Sequence, residues 1–356
     1  MIKTKSSIAM ITRPSPEYSD RTQLLRLDKN ERTTVFSKDE FDDMMATITP
    51  FDFVAYAELE PTYESFAKWL NIKRENLLLT FGSDVAIKTV FETFVETGDE
   101  VLNFDPNYAM FSVYTKMFGG IEIVKQYNSD FSIDIDNLIN SINKKTKLII
   151  ISNPGHNGIA TPVSDILRVV ESAKANNAII LIDEAYYHFS DVTMLNHFDQ
   201  NNIIIIRSLS KAFGLASLRV GFIIAEPNLI KEMYRVKLVH EVDGFAAKIA
   251  KYMVEHSYIM ENYVEDVKAG HNIIKKRFEQ MGITLFPSHS NFVYFKVNRM
   301  LDINRLIKDL KQKNIIIKSP IKAPPFNNLL RITLGNAHQM ELFCNELQII
   351  LDSITN

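Results

Sequence analysis

One cysteine, Cys344, in 356 residues excludes a disulfide framework within the chain and any metal site built on a cysteine cluster. Its expected place is the core of the last helix. Charge of one sign is also missing: 40 Lys and Arg face 43 Asp and Glu, a net charge of −3. Nothing therefore pulls the whole chain toward nucleic acid or anionic lipid, although a local basic site could still bind phosphate. Long apolar runs are absent too. The greasiest stretches, Leu148–Ser152, Ala178–Ile182 and Asn202–Ile206, are too short to cross a bilayer. Met1–Ile11 holds too short an apolar run for a signal peptide, and with the single thiol this makes the cytoplasm the expected compartment. No GxGxxG, no Walker A lysine and no HExxH occurs, and the eight histidines lack the spacing of a metal cluster. Neither a metal nor a standard dinucleotide site is expected. No repeat or low-complexity tract is evident.

What is present is a substantial core. Apolar residues make up 46% of the chain, and the length suits two or three domains. An N-terminal arm, residues 1–38, shows little periodicity, and Arg13-Pro14-Ser15-Pro16 argues against a regular element within it. Over residues 39–250 short apolar runs alternate with amphipathic helical patterns, as in βαβ units with a largely parallel sheet. Leu77–Thr80, Val101–Phe104 and the three greasy stretches read as strands, the last three buried on both faces. Pro227 opens a helix expected to carry much of Asn228–Glu255. Over residues 251–356 shorter strands, among them Ile283–Phe286, Phe292–Val297, Ile315–Lys318 and Leu330–Thr333, mix with helices as a smaller α+β domain.

The chemistry gathers at strand ends. Ser208-Leu209-Ser210-Lys211 follows the strand ending at Ile206, on the carboxyl side where open α/β sheets place ligands. A lysine desolvated there gains by losing its proton or condensing with an aldehyde; an ordinary turn lysine is the alternative. Ser208, Ser210 and Arg219 could together bind a phosphate. Asp183 ends a second buried strand and could pair with a ring nitrogen or cap a turn. Tyr186 could donate to a ring oxygen or simply pack. Asn153 ends a third strand and could reach the same ligand or start a turn. Gly82-Ser83-Asp84 opens a helix whose free N–H groups make an anion site or a plain cap. Tyr108 could lie over a flat cofactor or pack.

With these motifs in hand, the chain resembles the fold-type I pyridoxal-phosphate aminotransferases of class I and II, above all their histidinol-phosphate aminotransferase branch. The resemblance is carried by Ser208-Leu-Ser-Lys211-Ala-Phe-Gly-Leu-Ala-Ser-Leu-Arg219-Val-Gly-Phe222, by Asp183-Glu-Ala-Tyr186 and by Gly82-Ser83-Asp84. Asn30-Glu31, Ser290-Asn291-Phe292 and Leu330-Arg331-Ile332-Thr333 follow the family's order, so it spans roughly residues 24 to 352. It implies a three-layer α/β sandwich with a central, mostly parallel sheet, in which 39–250 binds the cofactor and part of the arm completes the small domain. Lys211 would carry pyridoxal 5'-phosphate as a Schiff base. Asp183 would meet the pyridine nitrogen, and Asn153 and Tyr186 the phenolic oxygen. Tyr108 would stack on the ring, while Ser208, Ser210, Arg219 and the Gly82-Ser83-Asp84 backbone would hold the phosphate. Arg331 would clamp the donor's α-carboxylate. Tyr56 would reach into the neighbouring subunit's site, which implies a homodimer.

Several positions depart from the family. Its Asn-Pro-Asn-Asn-Pro-Thr-Gly loop reads Asn153-Pro-Gly-His156-Asn-Gly-Ile159 here, and His156 becomes a candidate substrate contact or a surface loop residue. Where the family has an arginine for the substrate phosphate stands Lys318, a point charge without the planar fork. The small residue before Leu218-Arg219 in the lysine motif is Ser217 here, and the Pro-x-Gly after Asn30-Glu31 is missing. The expected activity is transfer of an amino group, with glutamate the expected donor, to a small phosphorylated or acidic carbonyl compound. Decarboxylation of a phosphorylated amino acid, of the phosphoserine or phosphothreonine kind, is the alternative within the same cofactor shell. A non-enzymatic cofactor-binding regulator is disfavoured because the short arm has no room for a DNA-binding module. Neither nucleic acid nor membrane is expected as a partner.

Overall fold

The computed structural model describes residues 2–9, 11, 20–200, 202–298 and 302–355. Arg13-Pro14-Ser15-Pro16 lies outside the described residues. In chain order the strands are β1 (Leu25–Leu27), β2 (Leu77–Phe81), β3 (Glu100–Asp105), β4 (Ile121–Gln126), β5 (Thr146–Ser152) and β6 (Ile179–Asp183). They continue with β7 (Ile203–Ser208), β8 (Val220–Ala225), β9 (Ile283–Leu285), β10 (Phe292–Val297), β11 (Ile315–Ile317) and β12 (Leu330–Thr333).

Among the described residues the main sheet has seven strands in the order β2-β8-β7-β6-β5-β3-β4. Only β8 is reversed, pairing antiparallel with β2 and with β7. The isoleucine runs explain why both faces are covered. Ile203 and Ile205 turn to one face with Ile149, Ile151, Ile180 and Ile182, while Ile204 and Ile206 turn to the other with Leu148, Ile150 and Leu181. Each such side chain stabilises the fold by about 1.5–3 kcal/mol when taken out of water, so an open face would be untenable. The helices Glu60–Leu70, Val163–Ala175 and Gly244–Glu255 cover the first face. Gly82–Phe94, Ala109–Met117 and Pro227–Tyr234 cover the second. The result is the three-layer α/β sandwich implied by the sequence.

Beyond it, β12, β10 and β9 form an antiparallel sheet in that order, and β1 from the arm pairs parallel with β11. Leu27, Phe278, Phe295, Phe343 and Cys344 share a separate core with the helices Tyr258–Gln280 and Ala337–Thr355. Cys344 is fully buried there. The single helix expected over Asn228–Glu255 is corrected to two, Pro227–Tyr234 and Gly244–Glu255. The second helix starts where the Asp243 carboxylate accepts the Ala246 N–H at 2.8 Å, a side-chain cap that restarts the backbone. Among the described residues no helix is long and apolar enough to cross a membrane.

Candidate active site

Parallel register brings three strand ends level. Ser152 at the end of β5 is opposite Asp183 at the end of β6, and Asp183 is opposite Ile206 of β7, just before Ser208. A cavity of about 470 Å³ opens over these ends. Asp183, Tyr186 and Lys211 line it, with Ser208, Ser210 and Arg219 at one end. His156, Lys318 and Arg331 line it as well, and so do Ser83, Asp84 and Tyr108.

The anion end is built from backbone as much as side chains. The helix Gly82–Phe94 starts at the end of β2, and its first-turn N–H groups have no intrahelical partners. Arg219 lies across it: a Cβ on Gly82 would come within 2.7 Å of Nη2, and Gly82 has φ +77°. Gly82 does not line the cavity; its lack of a side chain lets the guanidinium close over the helix start. Gly221 serves the same approach from β8, since a Cβ there would meet the Ser83 nitrogen at 2.3 Å. Arg219 Nη1 also donates to Ser210 Oγ at 3.4 Å, and the Ser210 N–H donates to Ser208 Oγ at 3.1 Å.

At the other end Asp183 is buried, and one oxygen accepts the Ala185 N–H at 3.1 Å. Burial pushes its carboxyl up to about 6, against the lowering effects of that N–H and of Lys211. A cation opposite this carboxylate would offset the burial cost. Lys211 Nζ donates to the Lys29 carbonyl at 3.1 Å and stands 5.7 Å from the Tyr186 ring centroid. Tyr108 caps the helix Ala109–Met117, and burial, then Asp84 and Asp183, push its hydroxyl up to about 12, so it is a neutral ring. The His156 imidazole is pushed down to about 3, first by burial and then by Arg331, Lys211 and Lys318. Arg331 Nε is buried without a hydrogen-bond partner among the described residues. A guanidinium with a buried N–H left without a partner in a cleft is a site for a carboxylate.

Two further expected site residues do not line this cavity. Asn153 is fully buried under its own loop: Oδ1 accepts the Thr161 N–H at 2.7 Å and Nδ2 donates to the Thr161 carbonyl at 3.2 Å. The oxygen and one N–H of its amide are committed to the loop and Asn153 does not line the cavity, which leaves its second N–H, among the described residues, for the contact with the phenolic oxygen expected of it. The residue of that loop that does line the cavity is His156. Tyr56 is 76% exposed, outside the cavity, and stacks on His240 with centroids 4.0 Å apart. Sequence reasoning gave no role to Asp28, Lys29, Asn30 or Asn107, all of which line the cavity. The only signal for them was Asn30-Glu31, a motif without an assigned contact.

A phosphorylated, flat pyridine aldehyde fits this donor set. There is a helix start with hydroxyls and an arginine for the phosphate, a lysine amine, and a buried carboxylate facing a gap. Residues 47–347 match the family model described as aminotransferase class I and II. A histidinol-phosphate aminotransferase of Caldanaerobacter subterraneus subsp. tengcongensis is 29% identical over 295 residues, 82% of each chain. The crystal structure of histidinol-phosphate aminotransferase from Sinorhizobium meliloti in complex with pyridoxal-5'-phosphate superposes with a TM-score of 0.88 at 20% identity, covering 99% of each chain. That of L-threonine-O-3-phosphate decarboxylase from Porphyromonas gingivalis gives 0.77 at 18% identity, over 92% of this chain and 100% of the other.

Proposed function

The chain belongs to the class I and II aminotransferase family, and from that premise we propose that it moves an amino group from an amino acid to a small phosphorylated or otherwise acidic carbonyl compound. Its general activity is pyridoxal-phosphate-dependent transamination on the fold-type I scaffold, in the branch that resembles histidinol-phosphate aminotransferases. Glutamate is the expected donor. One observation carries the finer reading: Arg331 and Lys318 are paired across an isolated β-bridge and line the same cavity, with Arg331 Nε unsatisfied. Two adjacent cations there suit a substrate with two acidic groups, or two substrates that each bring one.

Pyridoxal phosphate, when bound, supplies the electron sink for bond cleavage at the substrate's Cα. The residues do the rest. Ser208, Ser210, Arg219 and the N–H groups of Ser83 and Asp84 would hold the phosphate. The Asp183 carboxylate would keep a proton on the ring nitrogen, Tyr108 would lie against the ring and Tyr186 would donate to its oxygen. Lys211 would hold the group through its amine, and the same amine would be placed to take the substrate's Cα proton and return it. Arg331 orients the donor through its carboxylate, and Lys318 meets the distal anion. His156 contacts the substrate from the loop after β5.

We also propose a homodimer. Tyr56 sits among exposed Phe51, Phe53 and Val54, with Leu238 and Val239 exposed as well, a patch too apolar to leave in water. In that assembly Tyr56 serves the partner's cleft. The proposed domain division is 1–38, 39–250 and 251–356, its second boundary falling inside the helix Gly244–Glu255, with β1 of the arm completing the last.

Borohydride reduction of the cofactor-loaded protein should leave the pyridoxyl mass on the Lys211 peptide. A half-reaction screen with glutamate, O-phosphoserine, histidinol phosphate and serinol phosphate then reads the substrate class. Glutamate should give 2-oxoglutarate; carbon dioxide from O-phosphoserine with no keto product would replace transamination by decarboxylation. Sedimentation at micromolar concentration should show the dimer.

A further inference from the structure

Asn30 lies on the arm just after β1, 156 positions from Tyr186 in sequence, yet its Nδ2 donates to the Tyr186 hydroxyl oxygen at 2.9 Å. The direction of that hydrogen bond is fixed by what surrounds it. The backbone N–H of Asn30 donates to Thr333 Oγ1 at 2.9 Å, which leaves the Thr333 hydroxyl hydrogen free to donate to Asn30 Oδ1, 3.3 Å away. With Oδ1 so occupied, the amide can present only its NH2 side to Tyr186. The Asn30 carbonyl accepts from Asn291 Nδ2 at 3.1 Å, so the residue is tied on three sides, and it is 2% exposed. Its φ of +57° is a left-handed conformation that asparagine tolerates and most side chains do not.

We propose that Asn30 is a positioning residue for Tyr186, forcing that phenol to be the donor into the cleft. A hydroxyl that already accepts from Asn30 has its own hydrogen left to give, and among the described residues no acceptor takes it. The donor order therefore runs from Thr333 on β12 through Asn30 to Tyr186 beyond β6, and ends where a ligand's oxygen would sit. This couples the small sheet and the arm to the cofactor's phenolic oxygen. The inference rests on the reading of the cleft as a pyridoxal-phosphate site.

Asn30→Asp tests it, since the shape is kept while the donor becomes an acceptor. An ionised carboxylate would take the Tyr186 hydrogen for itself, and the ring oxygen would lose its donor. The readout is the pH midpoint of the visible absorbance of the holoprotein. A hydrogen bond given to the phenolic oxygen favours the form that has lost its proton, so losing the bond raises the midpoint. Tyr186→Phe should raise it, Asn30→Asp should raise it by at least half as much, and Asn30→Asp should add nothing on the Tyr186→Phe background. An Asn30→Asp shift of equal size on that background marks a bare charge effect and overturns the proposal. So does an unchanged midpoint in Asn30→Asp. Thr333→Val, which frees the amide to turn over, should give a smaller rise and serves if Asn30→Asp does not fold; no rise there overturns the proposal equally. If wild-type protein given pyridoxal phosphate shows no visible band, the cofactor reading falls, and the inference with it. A titrating wild-type band that Tyr186→Phe leaves unmoved removes Tyr186 from the ring oxygen and overturns the proposal while the cofactor reading stands.

Discussion

The backbone N–H of Lys318 donates to the Arg331 carbonyl at 3.2 Å, so two cationic side chains enter the cleft from adjacent positions. Burial, and then Arg331, hold the Lys318 amine below the usual lysine range. The two differ in what they can grip: Arg331 offers a planar fork, Lys318 a point charge. Arg331→Lys keeps the charge and loses the fork, and should lower kcat/KM for glutamate about 10–100-fold, the scale of a lost charged hydrogen bond. Lys318→Gln should raise KM for a phosphorylated acceptor and slow the glutamate half-reaction less than Arg331→Lys does. Stopped-flow traces of each half-reaction separate the two.

Asp183 gives a pH signature to the cofactor-free protein. Its folded value of about 6 lies above the ordinary 3.8, so between these the folded state binds more protons and stability falls as pH rises. The cost is complete above pH ~6 and amounts to about 3 kcal/mol at most. Asp183→Asn should therefore unfold at a higher temperature than wild type at pH 8 and at nearly the same temperature at pH 3.5. Adding pyridoxal phosphate should stabilise wild type more than the variant, because the ring cation needs the carboxylate.

Much of this arrangement was legible because buried parallel strands write themselves as isoleucine runs. Those runs locate the carboxyl ends of β5, β6 and β7, and Asp183 and Lys211 follow from them by counting. The edge strand β4 was not legible: Ile121 and Val124 are exposed, so no clear alternation marks it. The break between Tyr234 and Gly244 depends on a cap whose strength over the helical pattern only the folded chain decides. The path of the Asn153–Ile159 loop is set by the paired hydrogen bonds between Asn153 and Thr161, and spacing alone cannot tell which loop residue faces the cleft. Asn30 shows the same limit, since every partner that defines it is distant in sequence.

Behind the cleft, Glu184 turns to the opposite side from Asp183 and meets Arg207, whose Nε and Nη2 donate to Oε2 at 3.0 and 2.9 Å. The Met194 N–H donates to its Oε1 at 2.6 Å, and the Thr193 hydroxyl donates to the same carboxylate. Both ends of the pair are nearly inaccessible, 0% for the Glu184 and 4% for the Arg207 side chain. Glu184→Leu would strand a buried guanidinium and should cost about 3–5 kcal/mol in denaturant unfolding. Glu184→Leu with Arg207→Met removes both charges and should recover most of that loss.

His156 supplies the opposite pH dependence. Its ring is held near 3 in the folded protein against an ordinary 6.5, so between those values the unfolded chain binds the extra proton and stability falls as pH is lowered. Between pH 6.5 and 5 this one group accounts for about 2 kcal/mol. His156→Asn has no proton to take up and should lose less stability over that interval than wild type, in thermal melts of the cofactor-free protein run in parallel. His188 is depressed to about 3 as well, by burial and Arg207, and is common to both proteins, so its contribution cancels in the difference. Equal losses in the two proteins would mean that the imidazole takes up its proton inside the folded cleft, which would remove the ground for treating His156 as a neutral substrate contact.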